Sequence, residues 1–387
     1  MLNEPLLSGY RPLGVAVSGG SDSTALLILC AQLSGTDALR AVTVDHGLRV
    51  DAQAEAQQVA KLCARLKIPH DILTLDLNDG SDLQARARTK RYVALSDWAL
   101  QKGVAAVALG HTKDDVAEGF LMRLARGSGV DGLAAMPEMF ERNGVRFVRP
   151  LLGTLRHDLQ TYLHENGLTW SEDPSNQDPR FTRVKMRQAQ PHLDDLGLTT
   201  QRLSQTADWM RAASDVLETA ADRWIEQNAW ADHGDAVFNF NALQIAPLET
   251  AARVLSRALC NISGNLYRPR FSALSELRSS LTAQTLHGCL AYHHGETLRL
   301  TREPNAIKAE EMRWLIKGPV CASHVIKPLG EAGLRHIPNW RDTALLPRRS
   351  LLGTPAIWLG ETLVAAPIAR PDPNWSASTA NPLHLSK

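Results

Sequence analysis

The sequence predicts an α/β fold in which a doubly wound parallel sheet is followed by a helical region and a small β-containing C-terminal region. Three observations support this prediction. Short apolar runs alternate with stretches of helical periodicity in the first half of the chain, which is typical of βαβ units. Residues 199–260 are rich in Ala, Leu, Gln and Arg at helical spacing. From about residue 286, short apolar segments alternate with Gly and Pro.

Four apolar runs in the first half are predicted to be buried strands, at residues 14–18, 41–46, 70–76 and 104–110. Helical patterns separate these runs, at residues 24–33, 52–67 and 82–101. Ligands of a doubly wound sheet bind at the carboxyl ends of its strands. The segments that directly follow the predicted strands are therefore where a site is expected.

The 387 residues are enough for two or three domains that each bury a core of their own. Gly264 interrupts the helical pattern, and the residues from Asn374 onward are expected to be a frayed tail. We predict three domains: a catalytic domain over residues 1–195, a helical domain over residues 196–285 and a small C-terminal domain over residues 286–387.

The composition is that of an ordinary cytoplasmic protein. The formal net charge is only +1, so nucleic-acid binding would have to come from local basic patches. No apolar run approaches the roughly 18 residues of a membrane span, and the N-terminus lacks the pattern of a signal peptide. The five cysteines are scattered and include no C-x-x-C pair, which fits a reducing compartment and argues against a thiolate metal site.

The strongest functional signal is the segment SGGSDS, which follows the first predicted strand and precedes a helix. Its glycines allow close approach of phosphate oxygens, and the free N–H groups of a helix start favour an anion. Asp22 can hold the Mg²⁺ of a nucleoside triphosphate. No lysine follows, as it would in a G-x-x-x-x-G-K loop, so the segment suits pyrophosphate as a leaving group. A turn capped by Ser21 or Asp22 is the alternative. The candidate nucleotide-binding residues are Ser18, Gly19, Gly20, Ser21, Asp22 and Ser23.

Candidate catalytic residues follow the fourth predicted strand. They are His111, Asp114, Asp115 and Glu118. Asp115 and Glu118 are three residues apart on the helix that begins there, so their carboxylates share one face near the expected nucleotide. Such a pair can hold an ammonium group, accept its proton or share a metal ion with the loop. The alternative is capping, because Thr112 and Asp115 fit a capping box.

Further candidates come from basic side chains and one histidine. Arg123 and Arg126 continue the helix that carries the carboxylates, where they could meet phosphate groups. Arg183 and Arg187 are four residues apart and could clamp a triphosphate or an RNA backbone bidentately. Solvated helix faces are the alternative for both pairs. His46 ends the second predicted strand, where an adenosine would contact the sheet, although a structural hydrogen-bonding role is the alternative.

The SGGSDS loop resembles that of the PP-loop family of ATP pyrophosphatases, and further segments resemble the tRNA(Ile)-lysidine synthases of that superfamily in the same order. These segments are VDHGLR (44–49), QARARTKRY (84–92), GHTKDDVAE (110–118), RLARGSGVDGLAAM (123–136), RPLL (149–152) and WSEDPSNQD (170–178). A weaker likeness continues through GNLYRPR (264–270) and LVAAP (363–367). The likeness therefore covers nearly the whole chain.

The resemblance implies a ligase that joins free L-lysine to C2 of the wobble cytidine in a CAU-anticodon isoleucine tRNA. ATP and Mg²⁺ would convert the base oxygen to an adenylate with loss of pyrophosphate, and lysine would then displace AMP. The helical and C-terminal regions would hold the tRNA, and a homodimer is left open. The implied catalytic residues are Asp22, His111, Asp114, Asp115 and Glu118. The implied tRNA contacts are Arg86, Arg123, Arg126 and Arg187.

Two positions depart from the family pattern. The family usually has Gln after the paired aspartates and Thr after the glutamate, where this chain has Val116 and Gly119. The departures motivate an alternative function, a tRNA-binding PP-loop protein with altered or lost catalysis. A second alternative is another PP-loop tRNA-modifying enzyme such as a thiolase. Relatives that transfer sulfur generally depend on paired cysteines, which this chain lacks.

Overall fold

A computed structural model describes residues 1–45, 51–75, 83–171, 180, 182–265, 267–307 and 314–379. The chain divides into two compact units, Met1–Ser214 and Asp215–Lys387. The predicted division into three domains, with boundaries after residues 195 and 285, stays a prediction. Within the ranges described, no helix has both the length and the apolar character that crossing a bilayer requires.

The first unit contains a six-stranded sheet with the order β3-β2-β1-β4-β6-β5. Its strands are β1 Leu13–Ala16, β2 Leu39–Asp45, β3 His70–Thr74, β4 Ala106–Leu109, β5 Met139–Arg142 and β6 Val145–Val148. Neighbouring strands are parallel, except that β5 pairs antiparallel with β6. The chain proceeds from β1 to β2 and β3 and then returns to place β4 on the other side of β1. The strand order therefore reverses between β1 and β4, and this switch point is where such sheets bind ligands.

Helices cover both faces of this sheet, as the sequence predicts. They are α1 Ser21–Ser34, α2 Asp51–Leu66, α3 Leu83–Gln101, α4 Lys113–Leu124, α5 Val130–Leu133, α6 Arg156–Glu165 and α7 Thr182–Asp195. Val15 of β1 packs with Leu26 and Leu159 in one core, whereas Val107 of β4 packs with Trp98 in another. Because successive strand residues point to opposite faces, a strand covered on both faces is apolar throughout. This explains the uninterrupted apolar runs.

The hairpin of β5 and β6 is absent from the sequence predictions. Its turn is formed by Asn143 and Gly144, which have φ angles of +50° and +74°. An Asn-Gly pair between short apolar-polar alternations is a strong hairpin signal, because both residues tolerate positive φ. The signal was therefore present in the sequence.

The second unit combines helices with short strands, as predicted for the second half of the chain. Helix α8 Thr200–Asn228 begins in the first unit and ends in the second. A five-stranded sheet has the order β7-β8-β11-β10-β9. Its strands are β7 Ala229–Asp232, β8 Asp235–Asn239, β9 Gln284–Leu286, β10 Cys289–His294 and β11 Thr297–Arg302. Its helices are α9 Phe240–Ile245, α10 Leu248–Ser263 and α11 Phe271–Ser279. Residues on both sides of residue 285 share one core, for example Leu255 and Leu300.

The remaining elements of the second unit are short. The strands are β12 Trp314–Lys317, β13 His324–Pro328, β14 Pro355–Leu359, β15 Thr362–Ala365 and β16 Ser376–Thr379. The helices are α12 Gly330–Arg335, α13 Trp340–Thr343 and α14 Arg348–Leu351. β16 pairs antiparallel with β12, so the prediction of a frayed tail from Asn374 onward is wrong for residues 376–379. This segment is ordered by backbone hydrogen bonds to a strand some 60 residues earlier in the chain. A local sequence pattern does not predict such long-range pairing.

Candidate active site

The SGGSDS loop connects β1 to α1 at the switch point of the sheet. Gly19 has a φ angle of +92°, which favours glycine. Gly20 is the N-cap of α1 and brings no side-chain acceptor, so the first N–H groups of the helix remain available to an anion. Ser23 Oγ accepts a hydrogen bond from the Ser18 N–H at 3.0 Å. Ser23 therefore stabilises the loop through a hydrogen bond, and the glycines of the loop allow its backbone conformation.

Gly110 brings the segment after β4 against this loop. A Cβ atom at Gly110 would lie 3.1 Å from both the Cα and the backbone N of Ser23. Any other residue would push the end of β4 away from the start of α1, because backbone atoms cannot yield as a flexible side chain can. Gly110 is thus a site-shaping residue that the sequence analysis did not single out, although it begins a motif.

Arg156, the first residue of α6, lies at the centre of the site. Its Nε atom is 2.9 Å from Asp22 Oδ2, its Nη1 atom 3.3 Å from Glu118 Oε1 and its Nη2 atom 3.4 Å from Asp115 Oδ1. The structure thereby joins three of the predicted catalytic carboxylates through one guanidinium. The sequence analysis missed Arg156, and the only local signal is an arginine four residues after the RPLL motif.

The paired aspartates have different structural partners. Asp114 Oδ2 accepts a hydrogen bond from the backbone N–H of Arg156 at 2.8 Å, so it anchors the start of α6. Asp115 Oδ2 accepts from the backbone N–H of Thr112 at 2.9 Å and from its hydroxyl at 3.1 Å. The capping box considered as an alternative is therefore present. The other oxygen of Asp115 faces Arg156. Asp115 therefore caps the helix and also belongs to the carboxylate cluster, which consists of Asp22, Asp115 and Glu118 around Arg156.

The two arginines of α7 contact Glu118. Arg187 Nε donates to Glu118 Oε1 at 2.9 Å, and Arg183 Nε lies 3.3 Å from Glu118 Oε2. The Glu118 side chain is only 6% exposed, so these contacts are made in a largely desolvated setting. The spacing of Arg183 and Arg187 therefore corresponds to a shared carboxylate partner, and a purely solvated helix face does not describe this pair.

The charges of the cluster shift the pKa values of its members. Burial raises the pKa of Asp22 above its ordinary value, although the positive charge of Arg156 partly opposes this. For Asp115, burial also raises the pKa, but the positive charge of Arg156 and the hydrogen bond from the Thr112 N–H hold it below its ordinary value. For Arg156, burial lowers the pKa, but Asp115, Asp22 and Glu118 raise it above the ordinary value. Asp115 and Arg156 are therefore an ionised pair at neutral pH.

His111 is a neutral imidazole at this site. Burial lowers its pKa to about 3, although the negative charge of Asp115 opposes the shift. Within the described part of the chain, its Nδ1 atom has no hydrogen-bond partner. A neutral ring at pH 7 can accept a hydrogen bond, but it neither takes up a proton at that pH nor serves as a fixed positive charge for phosphate.

Comparisons with known proteins identify the family. Residues 2–193 match a family model described as a PP-loop domain. A tRNA(Ile)-lysidine synthase of Ruegeria pomeroyi is 40% identical to this chain over 95% of the chain and 91% of the relative. The chain belongs to the tRNA(Ile)-lysidine synthase family. Two further tRNA(Ile)-lysidine synthases are also similar. That of Hyphomonas neptunium is 39% identical over 72% of this chain and 78% of its own length, and that of Methylobacterium nodulans 38% over 75% and 90%.

Membership of the tRNA(Ile)-lysidine synthase family confirms the resemblance and the predicted PP-loop fold. The alternative of a PP-loop protein with another or a lost activity is not favoured. Neither cysteine of the first unit suits sulfur transfer, because Cys30 and Cys63 are both buried. Burial raises the pKa of Cys30 to about 12 and that of Cys63 to about 11, which leaves them as unreactive thiols.

The two departures from the pattern of the tRNA(Ile)-lysidine synthase family lie in different surroundings. Val116 is buried among apolar side chains that include Phe120 and Leu203. Gly119 faces Arg123, and a Cβ atom there would lie 3.5 Å from Arg123 Nη1, an ordinary contact. The Val116 side chain therefore belongs to a core in this chain, whereas position 119 has room for a side chain.

The other predicted tRNA contacts of this family member are dispersed. Arg123 donates from Nη2 to the Ala134 carbonyl at 3.2 Å, and burial together with Arg211 and Arg183 lowers its pKa. Arg126 is exposed on the turn that follows α4. The Arg86 side chain is partly buried on α3. His46 and residues 172–178 of the last motif lie outside the described residues.

The carboxylates of Asp22, Asp115 and Glu118 are also potential metal ligands. No group of three or more His, Cys, Asp and Glu side chains is arranged to hold a metal within the described ranges. In nucleotide sites, however, Mg²⁺ is usually held by one or two carboxylates together with the phosphates. Asp22 supplies one such carboxylate beside the phosphate-binding loop, so the donor set fits Mg²⁺ that arrives with a nucleotide.

Proposed function

We propose that this protein joins free L-lysine to C2 of the wobble cytidine of a CAU-anticodon isoleucine tRNA, with ATP cleaved to AMP and pyrophosphate. The observation that carries the proposal is the convergence of Asp22, Asp115 and Glu118 at the switch point. Carboxylates for an amine and a cradle for phosphates are thus brought to the same place. Both are required when ATP activates a base oxygen and an amine then replaces it.

The loop residues would bind the nucleotide in the first step. Backbone N–H groups at the start of α1 would hold the phosphates, and Gly19 and Gly20 would let them approach. A pocket of about 530 Å³ adjoins Gly19 and includes Val59 and Trp170 in its lining, which is large enough for part of a nucleotide. Mg²⁺ held by Asp22 and the phosphates would neutralise charge on the departing pyrophosphate.

The carboxylates would act in the second step. Lysine arrives as an ammonium ion and must lose a proton before its nitrogen can attack the activated carbon. Asp115 is ionised and buried, and Glu118 lies on the same helix face, so the pair can bind the ammonium group and accept the proton. His111, as a neutral ring next to Asp115, can accept a hydrogen bond from the incoming amine. Asp114 would support the step by anchoring Arg156.

Binding of the tRNA would use basic side chains outside the phosphate loop. Arg86, Arg123, Arg126 and Arg187 are the proposed contacts in the first unit, and the second unit would hold the tRNA body, because one cytidine cannot identify a tRNA. The enzyme would work in the cytoplasm, and a homodimer remains one option for its assembly.

Mass analysis of the wobble nucleoside tests the proposal. Purified protein is incubated with a CAU-anticodon isoleucine tRNA transcript, ATP, Mg²⁺ and L-lysine, and the tRNA is then digested to nucleosides. The expected product is cytidine with lysine attached in place of the base oxygen. Reactions without lysine, and with methionine tRNA, are the controls. Tight tRNA binding with an unmodified wobble cytidine would instead support a protein that has lost catalysis.

A further inference from the structure

The guanidinium of Arg156 occupies the position at which the carboxylate cluster would bind a substrate cation. Three nitrogen atoms of the Arg156 guanidinium each lie 2.9–3.4 Å from an oxygen of a different residue, Asp22, Asp115 or Glu118. The Arg156 side chain is 18% exposed, whereas those of Asp115 and Glu118 are 10% and 6% exposed. The Arg156 side chain is therefore more exposed than those of Asp115 and Glu118, and as exposed as that of Asp22.

We infer that Arg156 is a resident counter-cation that competes with substrate cations for these carboxylates. An ammonium group or a divalent metal ion reaches Asp22, Asp115 and Glu118 only after the guanidinium has moved away. This inference rests on the proposed function, because that function makes these carboxylates the receivers of the amine and the metal.

The contacts of the individual aspartate oxygens show where a substrate cation would compete with Arg156. Asp22 Oδ1 already accepts a hydrogen bond from the Ser21 hydroxyl at 3.1 Å. Asp115 Oδ2 is engaged by the N–H and hydroxyl of Thr112. Among the residues that the structure describes, Asp22 Oδ2 and Asp115 Oδ1 have no partner of this kind, and both face Arg156. A substrate cation that binds these two oxygens therefore competes directly with the guanidinium.

A counter-cation is needed whenever no substrate is bound. Burying two carboxylates close together without a cation is costly, since each loses its hydration and repels the other. Arg187 and Arg183 contact Glu118, but Asp22 and Asp115 have Arg156 as their common cationic partner. Arg156 thus offsets the negative charge of Asp22 and Asp115 in the resting protein.

The attachment of Arg156 allows its side chain to leave without moving its helix. Asp114 holds the backbone N–H of Arg156 at 2.8 Å and so anchors the first turn of α6. The long side chain is partly exposed, so it can rotate towards solvent while the backbone stays in place. Asp114 therefore has a structural task that is separate from those of Asp115 and Glu118.

Binding measurements on Arg156→Gln test the inference. Titration calorimetry with L-lysine alone, and separately with Mg²⁺ alone, is carried out on the full chain without ATP or tRNA. Removing the competitor should tighten binding of at least one of these cations about tenfold or more, because a competing state reduces apparent affinity by its population. The titration in which affinity increases identifies the cation that binds at the position of the Arg156 guanidinium. Arg146→Gln, which removes a partly exposed arginine that contacts Glu141 and Tyr10, is the matched control and should change neither affinity.

A folded Arg156→Gln protein with unchanged or weaker binding of both cations would overturn the inference, because a purely structural arginine gives no gain. If Arg156→Gln does not fold, Arg156→Lys replaces it. A compact ammonium cannot reach three carboxylates as a guanidinium does, so a smaller gain is expected, and no gain would again overturn the inference. The wobble-nucleoside assay is scored separately on the wild-type protein. A gain in cation affinity without lysidine formation by the wild type would contradict the proposed function only.

Discussion

Arg156 donates a hydrogen bond from Nε to Asp22 Oδ2 at 2.9 Å, and this contact joins the start of α6 to the phosphate-binding loop. Asp22 is therefore held in place by a side chain that lies 134 residues away along the chain.

Asp22→Ala is expected to abolish ATP consumption while leaving the fold intact. The carboxylate lies in the first turn of α1 and takes no part in a hydrophobic core. Loss of a simple helix cap would cost about 1 kcal/mol of stability and leave activity unchanged. Pyrophosphate release and the circular dichroism spectrum are measured side by side, with Asp37→Ala at an exposed position as the control. Retained pyrophosphate release would remove the metal role of Asp22.

Glu118→Gln is expected to raise the lysine requirement far more than the ATP requirement. Removing one charged hydrogen-bond partner costs roughly 1.5–3 kcal/mol, which corresponds to about ten- to a hundred-fold. Adenylation of the tRNA should be spared, because it precedes attack by the amine. The KM values for lysine and ATP are compared with those of Glu141→Gln, an exposed glutamate on β5. A variant that binds lysine normally but fails at adenylation would show that Glu118 serves the metal.

Arg126→Ala and Arg123→Ala are expected to weaken tRNA binding and to flatten its salt dependence. Each phosphate contact contributes about 0.9 to the slope of log K against log salt for B-DNA, and less for single strands. Arg126 gives the cleaner measurement, because it is exposed, whereas Arg123 also holds the Ala134 carbonyl. Binding is titrated at several salt concentrations. An unchanged slope would assign both residues to a solvated helix face.

Restoring the family residues at positions 116 and 119 is expected to have opposite effects on stability. Val116→Gln places an amide among apolar side chains, and an unsatisfied buried polar group costs about 1–3 kcal/mol. Gly119→Thr should be tolerated, because its Cβ atom meets only ordinary contacts with the flexible Arg123 side chain. Urea unfolding gives the free energies, and turnover is measured on the same preparations. Faster turnover of Gly119→Thr would mark the natural protein as a weakened synthase.

Acidification is expected to destabilise the protein through His111. Its folded pKa of about 3 lies below the ordinary value of 6.5, so the unfolded chain binds the proton first as pH falls. The free energy of unfolding should therefore decrease from pH 6.5 towards 3, with this residue contributing at most about 1.4 kcal/mol per pH unit. His111→Gln should show a shallower decrease than the wild type. His164→Gln, at an exposed position of α6, should keep the wild-type slope, and equal slopes in all three proteins would contradict the assignment.

The sequence by itself was enough to place the phosphate-binding loop and the carboxylates after β4. Both are local patterns, in which a fully apolar strand ends in polar or glycine residues and a helix begins at once. Once the strand order of a doubly wound sheet is assumed, such segments must meet at its carboxyl edge. The likeness of motifs in order then predicted the family.

Only the tertiary structure decided which side chains complete this site. Arg156 lies 134 residues from Asp22 and 38 from Glu118 along the chain, so their meeting depends on how α6 packs beside α1 and α4. Packing between helices likewise decides that the Val116 side chain is buried in a core. It also decides that the arginines of α7 contact Glu118. Sequence periodicity records which face of a helix is apolar, but it does not record which distant side chain the polar face will meet.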